Sequence, residues 1–560
     1  MRILKPFLKV IGSYSLEEKV LSVVALLVFV FFMTKSIAVF VNPTSVFASQ
    51  SVYTEAIIND KPTLINPLYV DFAQANRDIS ALVFSGLVKY NPDTARFIND
   101  LGELTISEDK KEYIFKIKDD VTWHDGEPFS VDDVMFTYNI VLSETFQNPV
   151  LKANFEGVKI EKIDDASMKF VLERPNSFFI TNLNVGILPE HILQSSDIGK
   201  LPSNDFNLNP VGTGPYQVKS KLELLDDGRQ KLALERYENY YGINPSIAEI
   251  RFNIYPDEVM LLDDIDSINI IAKVNKELST ILEGDRFDVL YYSLPQYVAV
   301  FFNTNDDLLS NQKMRLALTK SIDKAELLGN IENVVPVDTP LLQLSQDDWL
   351  FKPNIEEAQG ALFDLGYKYQ KNDEGEVIEG QNYRKNSDGD ELSVTLTVRQ
   401  LNEATEQFEN QQETIDHLSQ KWEQVGIKTN IEYLPDQEYF QRLSEKNYQM
   451  ILAGQSMGYN LDIFPFWHSS QIDQGSALNL SRYSNFGADT QIEKIRESFD
   501  QEEQENRMET LAQIISDDVP ALFLYRQNYI LATDGKVKNV NFENLAYPSD
   551  RFSFIKDWEI

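Results

Sequence analysis

The pentapeptide Gly454-Gln455-Ser456-Met457-Gly458 has the spacing of a nucleophile elbow, in which a serine on a sharp strand-to-helix turn attacks a carbonyl carbon. Tyr448–Ala453 before it reads as the strand such a turn needs. A helix should follow directly, with a distant histidine as base, yet Tyr459–Pro465 has no helical pattern. The one later histidine, His468, is only twelve positions on. The match is read as accidental. His124, His191, His417 and His468 show no metal-ligand spacing, and there is no HExxH. Gly212-Thr213-Gly214 lacks the third glycine of a dinucleotide loop and the lysine of a P-loop. The acidic stretches Asn372–Gly375 and Asn386–Asp390 depart from the EF-hand pattern and suit hairpin turns. With no cysteine, there is no thiolate site, disulfide or lipid-modified cysteine. The chain reads as a non-enzyme with no cofactor and no metal, so its chemistry must be that of binding.

A binding site needs walls, and 560 residues are too many for one core, so two or three packed lobes are expected. The 34 Phe and 25 Tyr supply aromatic packing and clefts. The formal charge of −36 repels phosphate backbones and excludes nucleic acid as a partner. The first 50 residues run against that balance, with Arg2, Lys5, Lys9, Lys19 and Lys35 against Glu17 and Glu18. Val20–Met33 is almost wholly apolar, and the apolar character resumes from Ile37 to Val41. As a helix, residues 20–41 would be roughly 33 Å long, about one hydrocarbon thickness. The basic residues ahead of this segment place the N-terminus in the cytoplasm and the remainder outside. The segment is read as a retained anchor, or else as a signal cleaved near Val46-Phe47-Ala48; both mean export. Asn42–Ser51 has the character of a tether.

Downstream, strand and helix signals alternate. Leu392–Arg399 alternates apolar and polar residues as a strand does. Tyr113–Lys118 and Leu232–Arg236 each follow a charged turn, as in a hairpin. Ile415, Leu418, Trp422 and Val425 form one apolar helical stripe, ended by Gly426. The alternating run Ile427–Tyr433 follows at once, and Pro353–Leu365 with Gly366 repeats the helix-then-glycine pattern. These are α/β units.

As a set, several blocks resemble the bacterial extracellular solute-binding proteins of family 5, which include oligopeptide-, dipeptide- and nickel-binding receptors of ABC importers. The blocks run in family order: Pro62–Pro67, Ser85–Val88, Tyr113–Lys118 with Val121–Pro128 and Asp132-Asp133-Val134, Leu188–His191, Pro210–Tyr216, Phe302-Asn303-Thr304, Met314–Leu318 with Ile322-Asp323, and Pro520–Tyr525. Most are scaffold: Asp125-Gly126 suits a turn, Gly212 and Gly214 permit backbone geometry closed to other residues, and Trp123 and His124 are read as structural.

The resemblance implies an α/β, two-lobed periplasmic-binding-protein-like fold of type II. Its first lobe is discontinuous, preceded here by one N-terminal transmembrane helix. Expected boundaries are 1–50 for basic segment, helix and linker; 51–90 with 208–300 and 480–560 for lobe I; 91–207 for an associated subdomain; and 301–479 for lobe II. A peptide would lie extended in the groove, held through its backbone, with hinge closure over it. Asp462 is the leading contact, since an aspartate in this region of peptide-binding relatives pairs with the peptide's amino group. Tyr459, Asn460, Gly454, Gln455, Asn303 and Trp467 complete the candidate set. The chain departs from the family where a tryptophan usually follows the strand's glycine; Gln455-Ser456 stand there instead, with Trp467 and His468 later. Expected partners are a short peptide, ABC permease subunits with their cytoplasmic ATPase, and the membrane through the N-terminal helix. The protein is expected as a monomer at the outer face of the cytoplasmic membrane. Capture of a metal chelate or oligosaccharide, or peptide sensing without transport, are the alternatives.

Overall fold

The computed structural model describes residues 51–560 other than 70–72, 284–285, 346–351, 373, 375–381, 403–405, 460 and 474–477. The expected transmembrane segment, its linker and Asn460 lie outside the described residues. Among the described ones, no helix is long and apolar enough to cross a membrane.

The stripe read at 415–425 sits on the helix Glu406–Gln424 and its C-terminal end, and all four of its residues are buried. Each such side chain contributes about 1.5–3 kcal/mol by leaving water. Trp422 also donates its indole N–H to the Leu318 carbonyl at 2.9 Å, so burial leaves that donor satisfied. Gly426, with φ +84°, ends the turn in a conformation that a Cβ would strain. The chain then enters the strand Lys428–Leu434, parallel to Ser393–Arg399. This is a βαβ unit, the connection that parallel strands require.

A mixed sheet of twelve strands carries the molecule. From one edge its order is Lys428–Leu434, Ser393–Arg399, Met450–Ser456, Gln296–Phe302 and Ala521–Thr533. It continues through Ile270–Ala272, Val52–Ile58, Glu249–Tyr255, Gln230–Arg236 and Tyr216–Leu224. Asp288–Ser293 and Val334–Pro336 also pair with the long strand Ala521–Thr533. That strand belongs to both halves of the sheet. Residues 521–525 pair with Gln296–Phe302, whereas 528–533 pair with Asp288–Ser293.

Both faces of the sheet are covered, and alternation along the strands separates the cores. Val300 and Phe302 enter one cluster with Trp422 and Leu418, while Tyr297, Ala299 and Phe301 enter another with Trp467 and Leu511. In the other half, Tyr53 and Ile57 join a large cluster that extends to Phe552 and Trp558, and Ala56 points to a smaller one around Leu278. Period-two strands buried on both faces read as nearly continuous apolar runs, as Tyr297–Phe302 does.

Two small antiparallel sheets, Val88–Asn91 with Arg96–Asn99 and a four-stranded one built on Glu112–Ile117, stand apart from the large one. The turns expected before Tyr113 and Leu232 are present, the second carrying Gly228 at φ +89°. The expected lobe I segment 480–560 divides. Helices Phe486–Glu497 and Gln501–Asp518 place Ala488, Ile492, Ile495 and Leu511 in the core of Tyr297 and Ile451. Only the chain after about residue 528 packs with the first strands, because the apolar faces of those helices meet the Phe301 side of the sheet.

The C-terminal turn Pro548–Asp557 is fastened by a buried ion cluster. Arg551 reaches Asp78 through both oxygens, at 3.1 and 2.8 Å, and also contacts Glu55 and the Pro548 carbonyl. Tyr53 donates to Glu55.

Candidate ligand-binding cleft

A cleft of about 500 Å³ opens between the two halves. Most of its wall comes from the first half. The helix Gln74–Val83 contributes Arg77 and Ser80, and the hairpin after it contributes Lys89, Tyr90 and Asn99. Asp100, Lys118, the loop Tyr240–Ile243 and the C-terminal turn complete that side. The second half supplies the segment that leaves the strand Met450–Ser456: Ser456, Met457, Tyr459, Asp462, Pro465 and Phe466.

Of the expected contacts, Tyr459 and Asp462 line this cleft. Trp467 does not: it is buried against Phe301, Tyr483 and Phe523 and donates to the Tyr297 hydroxyl at 3.2 Å. Gln455 lies on the same buried face, accepting from Tyr297 and donating to the Leu478 carbonyl at 3.1 Å. Its polar ends are thus consumed by the core. Gly454 is an exposed strand position outside the lining, with room for a Cβ 3.6 Å from the Tyr297 carbonyl. Asn303 closes a turn, donating to the Tyr448 carbonyl at 2.9 Å and accepting from Asn305 N–H at 3.1 Å.

Tyr459 crosses the cleft. Its hydroxyl donates to Asp550, and its ring lies 5.1 Å from Tyr90, 5.4 Å from Phe97 and 4.8 Å from Tyr547. Asp550 also accepts from Ala546 N–H at 2.9 Å and Tyr547 N–H at 2.8 Å. Burial nevertheless pushes its carboxyl up to about 6. Away from the cleft, the halves meet again where Ser177 N–H donates to the Arg496 carbonyl at 2.7 Å and Gln504 donates to Ser177 Oγ at 2.9 Å.

Asp462 is buried, its Oδ1 accepting from Phe464 N–H at 3.0 Å. Its Oδ2 lies 3.0 Å from Nε of Arg496, which stacks on Phe464 at 4.1 Å. The two charges meet without hydrogen-bond alignment, so among the described residues neither Oδ2 nor Nε has a hydrogen-bond partner. Burial raises the Asp462 carboxyl, and the Arg496 guanidinium opposes the rise. The site therefore holds a buried carboxylate whose Oδ2 faces Arg496 without an aligned hydrogen bond.

Ser456 also lines the cleft, but His468 does not address it. The His468 Nδ1 faces Ser470 at 2.8 Å, and its Nε2 faces Glu493 at 3.7 Å and Asp489 at 3.9 Å. Among the described residues, no histidine is aimed at the serine. His124 lies between Gly212 N–H, 3.2 Å from Nδ1, and the Gly214 carbonyl, 2.9 Å from Nε2, and burial lowers it to about 4. Its partners imply a neutral ring protonated on Nε2, a structural brace. The glycines beside it are required by close approach: a Cβ on Gly212 would fall 1.9 Å from the Val83 carbonyl oxygen.

Residues that the sequence reading missed include Lys89, Asp100, Lys118 and Tyr241; Lys118 ends the block Tyr113–Lys118, which reads as scaffold, and the other three lie outside the quoted blocks. The Tyr241 hydroxyl donates to Asp100 at 2.8 Å and lies 2.9 Å from Ser85 Oγ. The adjacent pair Tyr240-Tyr241 before Gly242 is the one local signal, because paired tyrosines beside a glycine suit a cleft wall.

Comparisons with known proteins agree with this architecture. The chain is 26% identical over 496 residues to the oligopeptide-binding protein AppA of Bacillus subtilis, covering 84% of this chain and 86% of that protein. It is 23% identical over 483 residues to the dipeptide-binding protein of Escherichia coli, covering 80% and 84%. Among solved structures, Bacillus subtilis AppA in complex with a nonapeptide superposes with a TM-score of 0.72 at 22% identity, covering 91% of this chain and 99% of that one. NikZ from Campylobacter jejuni in complex with Ni(L-His) gives 0.72 at 22%, covering 91% and 100%. These likenesses show a two-domain mixed α/β fold. The family model for bacterial extracellular solute-binding proteins, family 5 (Middle), matches residues 95–476, and the chain belongs to that family.

Proposed function

We propose that this protein is the extracytoplasmic substrate-binding component of an ABC importer, capturing peptides between its two domains and delivering them to a membrane permease driven by a cytoplasmic ATPase. The observation that carries this reading is the cleft itself, walled from both halves and bridged by Tyr459 and Asp550. A receptor that closes over its ligand needs such a contact, made by side chains rather than by the sheet. Relatives named for oligopeptide and dipeptide binding support peptide as the solute.

Two features suit a peptide. Strand Met450–Ser456 pairs along its length with Gln296–Phe302, but with Ser393–Arg399 only at Met450 and Ile451. Its later residues keep one backbone edge for an extended ligand. Asp462 Oδ2 then accepts from the peptide's amino end, at the acceptor that Arg496 leaves open. The domains turn about Leu294-Pro295 and Arg526-Gln527, where the chain passes side by side from one half of the sheet to the other. Residues 20–41 hold the receptor at the outer face of the membrane, and it works as a monomer.

Native mass spectrometry of the purified full chain tests the reading. A heterogeneous envelope of short peptides, lost on partial unfolding, is the expected result. A single non-peptide mass, such as a metal chelate, would keep the capture mechanism and overturn the peptide. An empty protein that also ignores a peptide library in thermal-shift assays would overturn import in favour of a scaffold role.

A further inference from the structure

The charges on the cleft wall do not cancel, although the chain carries a net −36. Arg77, Lys89, Lys118 and Lys556 face Asp100, Asp462 and Asp550. Four of these seven have an evident counterpart nearby. Asp462 has Arg496 at 3.0 Å, Lys556 has Asp557 at 2.6 Å, and Arg77, stacked 3.6 Å over Tyr547, acts on Asp550. Lys89 and Lys118 are different. Both act on the one buried carboxylate of Asp100, and neither forms an ion pair of its own among the described residues. Asp100 already accepts from the Tyr241 hydroxyl at 2.8 Å. Two ammonium groups against one carboxylate leave a unit of positive charge on residues that line the cleft.

Aromatic faces hold this surplus in place. Lys118 lies 4.8 Å over the Tyr241 ring and Lys89 lies 5.8 Å over Phe554. Cation–π contacts of this kind orient an ammonium without neutralising it. At the Asp462 end the carboxylate's charge is already answered by Arg496, so that end offers a hydrogen-bond acceptor more than a bare anion. The wall is thus polarised, with its uncompensated charge positive and concentrated at the two lysines.

We propose that Lys89 and Lys118 form a carboxylate-accepting subsite that anchors an acidic group of the captured peptide, either its C-terminal carboxylate or an Asp or Glu side chain. The assignment rests on the peptide-capture reading and adds the charge class of the ligand to it. Charge-assisted hydrogen bonds from two ammonium groups are stronger than neutral ones and favour a carboxylate over an amide.

Calorimetry on the full chain distinguishes the sources. The probes are Ala-Ala-Ala-Ala, its C-terminal amide, the amide of Ala-Ala-Glu-Ala, and glutarate as a non-peptide dicarboxylate. The wild type should bind the free acid at least tenfold more tightly than the amide if the C-terminus is held. If a side chain is held, the glutamate-containing amide should be the tight one. The double variant Lys89→Ala/Lys118→Ala should lose that discrimination, and Lys89→Arg/Lys118→Arg should retain it. Equal affinities for the three peptides in the wild type, or discrimination that survives the alanine variant, would overturn the subsite and leave peptide capture intact. Glutarate binding that is lost in the alanine variant, with no peptide bound, would support the subsite while removing the peptide reading. If neither peptides nor glutarate bind in a lysine-dependent way, the subsite is overturned.

Discussion

Two arginines hold buried carboxylates in this molecule, and they do so in different ways. Arg551, between the first strand and the helix Gln74–Val83, is fully enclosed and nearly saturated. It meets Asp78 bidentately, Glu55 and a backbone carbonyl, and Tyr53 completes Glu55. Arg496, behind the cleft wall, meets Asp462 at 3.0 Å but out of line, and leaves an oxygen and an N–H without hydrogen bonds. Both arginines leave an Nε–H without a hydrogen bond, so the difference lies with the carboxylates: Glu55 and Asp78 are bonded to Arg551, whereas Asp462 keeps one oxygen without an aligned donor.

The largest effect should come from breaking the saturated cluster. Arg551→Met leaves Glu55 and Asp78 buried without their cation and should cost about 3–5 kcal/mol in urea denaturation. Adding Glu55→Gln and Asp78→Asn should recover much of the loss. A single variant as stable as the wild type would end the distinction drawn here.

Asp550, held up at about 6 by burial, comes next. The folded state binds its proton more tightly than the unfolded chain, whose aspartate titrates near 3.8. Its stabilising contribution is therefore complete below about pH 4 and lost as pH rises through about 6, a change of up to ~3 kcal/mol. Melting curves across that window should show the fall, and Asp550→Asn should flatten it.

Asp462→Ala should weaken peptide binding about thirtyfold, or about 2 kcal/mol, in calorimetry, with far less effect on unfolding than Arg551→Met. Arg496→Met should sharpen discrimination between free and acetylated amino ends, because it strips the countercharge from Asp462. A loss of stability as large as that of Arg551→Met would make the two arginines equivalent. The smallest effect belongs to Tyr459→Phe, which removes one hydrogen bond across the cleft, about 1 kcal/mol. Stopped-flow measurements should show peptide release about fivefold faster.

How much of this was legible in the sequence depends on distance along the chain. The helix through Trp422, the Gly426 stop and the strand after it are local patterns and could be read directly. The family resemblance pointed to the segment that carries Tyr459 and Asp462, which lies outside the quoted blocks. They could not separate the cleft-facing side of the strand from the core side, and Gln455 and Trp467 fell on the latter, where Tyr297 takes both polar ends. Partnerships across long separations left no local trace. Glu55 and Arg551 stand 496 positions apart, and Tyr459 and Asp550 stand 91 apart. Nothing in Arg496 itself announces that it shadows Asp462, nor do Lys89 and Lys118 declare that they share one carboxylate. The side of the sheet on which the helices at 486–518 pack is illegible for the same reason: amphipathic spacing says that a face is buried, not against what.

The strand Ala521–Thr533 has one more consequence, for biogenesis. It is the last strand of the chain, and both halves of the sheet wait for it; the first half waits further for Arg551 and Trp558. A chain emerging N-terminus first across a membrane therefore cannot complete either domain until nearly all of it has passed. With contacts of such sequence separation, folding is slow to begin. The same wiring that suits one strand to the proposed hinge would also keep the nascent protein unfolded through the proposed export.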